Sequence, residues 1–352
     1  MISGNTMLQN VLKISIAIFC FNQLWAQSVC SEELTQAQKL YDDGILAQAQ
    51  EKILYCLKKN GFQTNDEKTR AYRLLTLIAL YTDQLDEAEK YMMALLSTNP
   101  DYRLNPAIEA NEFTKLYQTF RTHPILTLGI QAGPNQNYVV VSQSKSTDND
   151  KQLAHYTERL GFSGGIVANF HLKKSWTIHL EPSYVIRRFE QTQRLFQFTE
   201  LKVSENQSII EIPLAISYAL GGYRIQGFIQ GGIIVQHLLS SFLEANRNNF
   251  QNISIPLSTQ FIAAKEMRNP LGYAGLLGVG FRYKIPRGFL FMKSQFLYGF
   301  TNQSLPTHRY THHELLFQYG YVDDDFYLNQ ISLQIGYLYA FYKPKKLKKS
   351  QD

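Results

Sequence analysis

From about Ile125 to Tyr342 the chain repeats one pattern, about eight stretches in which apolar or aromatic residues alternate with polar ones. The connections between them run long, short, long, short to the end. A period of two puts successive side chains on opposite faces of an extended strand. Trp176, Ile178, Leu180, Tyr184 and Ile186 share one face, and Thr177, His179, Glu181, Ser183 and Arg187 share the other. Near the end, Ile331, Leu333, Ile335, Tyr337, Tyr339 and Phe341 oppose Gln330, Ser332 and Gln334. The pattern predicts strands at 125–133, 157–170, 175–188, 206–220, 223–240, 271–285, 288–302 and 325–342. Soluble strands usually run about 5–6 residues. A tilted membrane crossing takes about 9–11, and tight turns on one side with long loops on the other mark a transmembrane barrel. Leu172 to Ser175, Gly221-Gly222 and Pro286-Arg287-Gly288 are the tight turns; 134–156, 189–205, 241–270 and 303–324 are the long polar connections.

Mean hydropathy of −0.23 leaves no room for a helical span in the mature chain, although 45% of residues are hydrophobic. A barrel is compatible with both numbers, because lipid-facing and inward residues cancel in any window. The first 26 residues read as an export signal, with Lys13 before the apolar run Ile14 to Phe21 and a small residue, Ala26, at the cleavage position. Cleavage there removes Cys20 and leaves Cys30 and Cys56. Export places both in an oxidising compartment, so the reading predicts that they pair.

Residues 27–123 read as a helical domain. Leu34, Ala37, Leu40 and Tyr41 recur at helical spacing, Leu74 to Tyr81 form a broadly apolar helix, and Asn65 is the expected N-cap of that helix. Leu40-Tyr41-Asp42-Asp43-Gly44 with Ala47 and Ala49 echoes Leu80-Tyr81-Thr82-Asp83-Gln84 with Glu87 and Ala88, at an offset close to 40. This resembles the tetratricopeptide repeat, whose stacked helix pairs present a face for a peptide or partner protein. The polar side of 84–121, with Glu87, Lys90, Arg103 and Lys115, is the candidate partner surface. The competing reading has these helices only packing on each other and closing the barrel's rim.

Eight strands enclose an interior just wide enough for side chains. Glu181, Arg187, Glu211, Arg224, Arg282 and Lys293 fall on the inward side by parity and form the predicted interior polar network. Buried charges must be paired, so this set reads as structural filling; a gated pore or proton path is the alternative. The net charge is +6, and Lys343, Lys345, Lys346, Lys348 and Lys349 concentrate it in a 343–352 tail. That tail reads as solvated, or as a contact for anionic headgroups or wall polymer. An exported chain has no use for it on nucleic acid.

The run Leu160-Gly161-Phe162-Ser163-Gly164-Gly165 leading to Leu180-Glu181-Pro182-Ser183-Tyr184 resembles the PorT-like outer-membrane β-barrel proteins of the Bacteroidota. Glu211-Ile212-Pro213-Leu214, Gly278-Val279-Gly280-Phe281-Arg282-Tyr283 and Gln334-Ile335-Gly336-Tyr337 carry the same resemblance. It implies an outer-membrane barrel over 125–342 and brings no catalytic residues. One branch of that family serves secretion and gliding, and the helical domain departs from its shortest members.

Catalytic chemistry finds little to work with. Ser304, His308, Thr311, His312, His313 and Glu314 sit in one long loop. His308 and His312 are spaced for a metal only if that loop is helical. His313-Glu314 lacks the second histidine of a zinc protease motif. No catalytic, cofactor or metal site is expected. The fold class is α+β multidomain, an α-helical repeat domain at 27–123 followed by an antiparallel eight-stranded transmembrane barrel at 124–342. The expected partners are outer-membrane lipid and a periplasmic or envelope protein. The expected function is a non-enzymatic anchor for a partner-binding domain, with a small pore or loop-end receptor as the alternative and a rim-located lipid enzyme as the third.

Overall fold

The computed structural model describes residues 29–347 except 106, 108, 148–153, 173–174, 197, 223, 250–256 and 259–260. The expected export signal at 1–26, with Cys20, and Lys348 and Lys349 lie outside the described residues. The chain divides into two compact units, 1–122 with 342–352, and 123–341.

The first unit is built from α1 (Val29–Asp42), α2 (Leu46–Lys58), α3 (Asn65–Tyr81), α4 (Leu85–Thr98) and the short α5 (Asn111–Gln118). Each of the first three helices stops in the same way. Gly44, Asn60 and Asp83 take positive φ of 78°, 49° and 58°. The amide one residue later then bonds back to Leu40, Cys56 and Ala79 respectively. This left-handed cap satisfies carbonyls that the helix end would leave open. Gly44 and Asp83 are equivalent, so the two hairpins repeat at 83 − 44 = 39 residues. The fully buried Ala49 and Ala88 stand at that same offset, where their missing bulk lets the helices approach. The N-cap of α3 is Thr64 rather than Asn65. Glu67 accepts from the Thr64 amide at 3.1 Å and the Thr64 hydroxyl accepts from the Glu67 amide at 3.1 Å, a complete capping box. Cys30 and Cys56 form a disulfide between α1 and α2.

The basic tail does not stand free in this unit. Lys345 accepts from the Arg121 amide at 3.0 Å, Leu347 donates to Thr119 at 2.7 Å, and Lys346 ion-pairs with Glu89. Tyr342 donates to Asp101 at 3.2 Å. Lys343, Lys345, Lys346 and Leu347 are exposed, as a solvated tail requires, and backbone pairing with 119–121 adds an order that charge alone does not suggest.

The second unit is one closed antiparallel sheet. Its elements are β1 (Leu126–Gln143), β2 (His155–His171), β3 (Trp176–Leu180), β4 (Ser183–Leu195), β5 (Thr199–Gly221), β6 (Ile225–Asn249), the two-residue β7 (Leu257–Ser258) and β8 (Ile262–Ala263), β9 (Leu271–Ile285), β10 (Gly288–Gly299) and β11 (Asp325–Phe341). β3 and β4 are one stave interrupted at Glu181-Pro182, since both pair with β2 and with β5. β7 and β8 only extend the edge of β6. Eight staves therefore follow one another in chain order, and β1 pairs with β11 from Leu126↔Phe341 to Gln143↔Asp325 to close the ring. Closure gives each stave a partner on both sides through the apolar band, a requirement in hydrocarbon, while at the loop end 137–143 of β1 pair with β11 alone.

The ring is apolar outside and polar inside. On β5, Ile210, Ile212, Leu214, Ile216, Tyr218 and Leu220 are exposed while Glu211 and Ser217 are buried. Above Ile210 the same face turns polar through Ser208, Asn206, Ser204 and Lys202. The apolar band thus covers 210–220, the length of one membrane crossing. β5 and β6 have 23 and 25 residues and continue well past that band at the loop end. The expected connections 134–156 and 189–205 are consequently mostly strand. β1 runs through Gly133-Pro134 to Gln143, and β4 and β5 are joined by residues 196–198 alone. β6 carries a bulge between Ile209↔Leu238 and Ser208↔Ser240. Its outward parity switches there, from Ile233 and Val235 to Phe242 and Glu244.

Candidate functional site

The interior is a column of polar side chains that runs from the turn end, where both chain ends of the barrel lie, to the loop end. At the bottom, His171 contacts the hydroxyls of Thr127 at 3.4 Å and Thr177 at 3.0 Å. Arg282 donates from Nε to Gln226 at 2.7 Å and lies over the Phe289 ring. One layer up, His179 bridges Asn169 at 2.8 Å and Ser217 at 2.6 Å, and Lys293 pairs with Glu181. Next, Arg187 donates to Glu211 at 2.6 Å and to Gln330 at 3.2 Å, and Gln236 adds a 3.1 Å bond to the same carboxylate. Apolar side chains pack among these layers, including Val167, Phe291 and Leu338 low in the barrel and Val185, Ile209 and Leu238 higher up.

Of the predicted network, Glu181 with Lys293 and Glu211 with Arg187 come together as buried pairs, with each member no more than 4% exposed. Arg282 is inward but paired with an amide. Arg224 is a correction. It lies in the bend before β6 and is exposed, because the strand begins at Ile225 and the parity count started two residues too early.

A fourth layer at the loop end was missed. Arg268 is held by Glu205 and Asp323, and all three are fully buried. Ser241 at 2.7 Å and Gln207 at 2.8 Å also bond Glu205, and Tyr321 donates to Asp323 at 2.5 Å. Arg268 reaches this point because 267–269 zip against 303–305: Leu305 donates to Met267 at 2.8 Å and Asn269 to Gln303 at 2.9 Å. Around the clamp, Leu195, Leu201, Val203, Leu243, Met267, Leu315 and Tyr319 form an apolar core of the kind found in soluble proteins. Beside it, Asp324 accepts from the Lys145 amide at 2.6 Å and from Tyr156 at 2.9 Å. Burial, with Asp323 adjacent, lifts the Asp324 carboxyl above its ordinary range despite those bonds. One signal was available for Glu205, which shares inward parity with Glu211 on β5. None pointed to Arg268, which sits outside any long strand.

The loop histidines do not assemble. His308 ends a 3-10 turn and contacts Thr307, whereas His313 stacks on Phe317 at 6.0 Å. His308 and His312 share no helix, so the spacing argument for a metal loses its premise. Among the described residues no group of three or more His, Cys, Asp or Glu is placed to hold a metal ion.

On the helical unit, Glu87 and Lys90 pair with each other at 3.4 Å, while Arg103 and Lys115 are exposed. The same stretch carries the tail at Glu89 and Thr119. Arg73 and Glu109 form a two-bond pair at 2.8 and 2.9 Å that fastens the segment before α5 to α3.

No curated protein matches the sequence. Among solved structures, the chain resembles Ail, the attachment invasion locus protein of Yersinia pestis, at 9% identity over 62% of this chain and 99% of Ail, with a TM-score of 0.26. It also resembles OprG from Pseudomonas aeruginosa at 10% identity over 63% of this chain and 98% of OprG, TM-score 0.33. Neisserial surface protein A gives 11% identity over 61% and 97%, TM-score 0.28. A family model, outer membrane protein beta-barrel domain, matches residues 117–304. That span is more than half of the chain and includes most of the staves described above, and the chain belongs to the outer membrane protein beta-barrel domain family.

Proposed function

We propose that this protein is a non-enzymatic outer-membrane anchor whose helical unit recruits a periplasmic or envelope protein. The observation that carries this reading is the filled barrel. Charged pairs cross the interior at three heights, Lys293–Glu181, Arg187–Glu211 and Arg268 with Glu205 and Asp323. Opening a path would break buried pairs at about 3–5 kcal/mol each, so the barrel is suited to holding rather than conducting. The other unit has its own core, its own disulfide and two helix hairpins, the tetratricopeptide-like and partner-binding part of the reading. Both connections to it leave the barrel at the turn end, and short turns face the periplasm in such barrels. In this orientation the PorT-like resemblance is compatible with a role in a secretion or envelope assembly.

A photoreactive residue at Lys90 or Lys115, cross-linked in intact cells, tests the reading. Capture of one discrete envelope protein at high yield supports it; capture of the protein's own barrel alone sinks it. Steady ion conductance of the folded protein in planar bilayers would transfer the function to a pore.

A second reading, a receptor at the loop end, is favoured by the aromatics exposed there. Phe196 and Phe198 stack on each other at 6.2 Å at the tip between β4 and β5, and Phe261, Tyr310 and Phe317 are exposed on neighbouring loops. Substituting Phe196, Phe198 and Phe317 together by Ser separates the two, since an anchor tolerates the change and a receptor loses its ligand.

A further inference from the structure

Low in the barrel lies a cavity of about 20 Å³, lined among others by Arg282, Lys293, Gln230, Ser217 and Glu181. One water sphere needs about 10–15 Å³, so the space admits one small species and excludes phosphate, sulfate or a carboxylate ligand. Two cations and one carboxylate stand on its wall. Glu181 is engaged by Lys293, and among the described residues no carboxylate pairs with Arg282. Arg282 is 8% exposed, and of its guanidinium nitrogens Nε is the one bonded, to Gln226. Gln230 is 5% exposed, and neither its Oε1 nor its Nε2 has a hydrogen-bond partner. A buried charge without a counter-charge and a buried amide without a partner are both costly, and here they face one void.

We propose that this cavity binds one monatomic anion of the chloride class, held as the counter-ion of Arg282 and accepting from the Gln230 amide. Water is the competing occupant. It satisfies Gln230 but leaves the charge of Arg282 uncompensated.

The test melts the full-length protein, folded in detergent micelles, in sodium chloride and in sodium gluconate at equal ionic strength. Gluconate is too large for the cavity. Chloride is expected to raise the melting temperature by about 4 °C for each tenfold rise above its dissociation constant. The difference between the salts is expected to vanish in Arg282→Gln and in Gln230→Leu. The second variant keeps the test alive if the first does not fold. Crystals grown in bromide should show an anomalous peak within hydrogen-bond distance of Arg282. Equal melting in the two salts, a chloride effect that survives in Gln230→Leu, or a water in place of bromide would each overturn the proposal.

Discussion

Arg268 grips Glu205 with two parallel hydrogen bonds, Nε to Oε1 at 2.8 Å and Nη2 to Oε2 at 2.7 Å. The adjoining edge of the same guanidinium takes Asp323, Nη1 to Oδ2 at 2.6 Å and Nη2 to Oδ1 at 2.9 Å. A planar fork with five donors suits this double grip, and a lysine ammonium does not. The clamp ties β5, the segment before β9 and the segment before β11, which are remote in sequence. Arg268→Met would leave two buried carboxylates facing each other, at a cost of about 3–5 kcal/mol. The loop 303–324 should then become sensitive to added protease while the membrane-embedded staves stay folded. Glu205→Gln should do less, because Asp323 keeps its partner. Unchanged proteolysis of Arg268→Met would show that the apolar core around Tyr319 closes the loop end without the clamp.

The disulfide between Cys30 and Cys56 closes a loop with a sequence separation of 26. Chain-entropy reasoning assigns such a crosslink about 3 kcal/mol. The double variant Cys30→Ser, Cys56→Ser should lower the thermal midpoint of the helical signal and remove its response to reductant. A reductant response that persists in the variant would contradict the assignment.

The capping box predicts a pH dependence. Burial acts to raise the Glu67 carboxyl, but hydrogen bonds from Thr64, Ser31 and Gln63 outweigh it and hold the group below its ordinary value. A lowered folded pKa means stability that is present above the unfolded value and is lost as pH falls through the folded one. Thr64→Ala should cost about 1 kcal/mol at neutral pH. Its helical unit should lose less on acidification than the wild type does, as read by circular dichroism melts between neutral and strongly acidic pH.

The outward face of β5 predicts where charge is tolerated. Ile216 lies in the apolar band and Ser208 at its upper border. Ile216→Arg should cost about 2–4 kcal/mol and Ser208→Arg about 0–1 kcal/mol in denaturant titrations of folding into lipid vesicles. Equal costs at the two positions would misplace the band.

Particular residues show what was legible. The alternation of Ile331 to Phe341 against Gln330 to Gln334 named both faces of β11. Inward parity found Glu181, Glu211, Arg187 and Lys293, because a side chain on a regular strand has two directions to choose from. The same arithmetic fails at β6, where the bulge at Leu239 inserts one residue and inverts the count, so that alternation alone ends the strand at Ser240. It fails at Pro134, where the expected strand stops and a long connection is expected to begin. Neighbours on both sides, Phe162 on β2 and the flanking pairs with β11, carry β1 straight through it.

Taken alone, the sequence determined the class of solvent on each side of the wall. Alternation is a local property, and the band of apolar residues must match the thickness of the membrane wherever the strand is placed. It also determined that the chain carries a helical segment before the barrel, because helical periodicity is equally local. Tertiary structure decided how far the staves extend past the band, which hydrogen-bond partners permit Pro134 and the bulge, and which charges meet. Arg268 finds Glu205 and Asp323 across 63 and 55 residues of chain. Pairing at that distance depends on the register of the closed ring, and no local pattern encodes it.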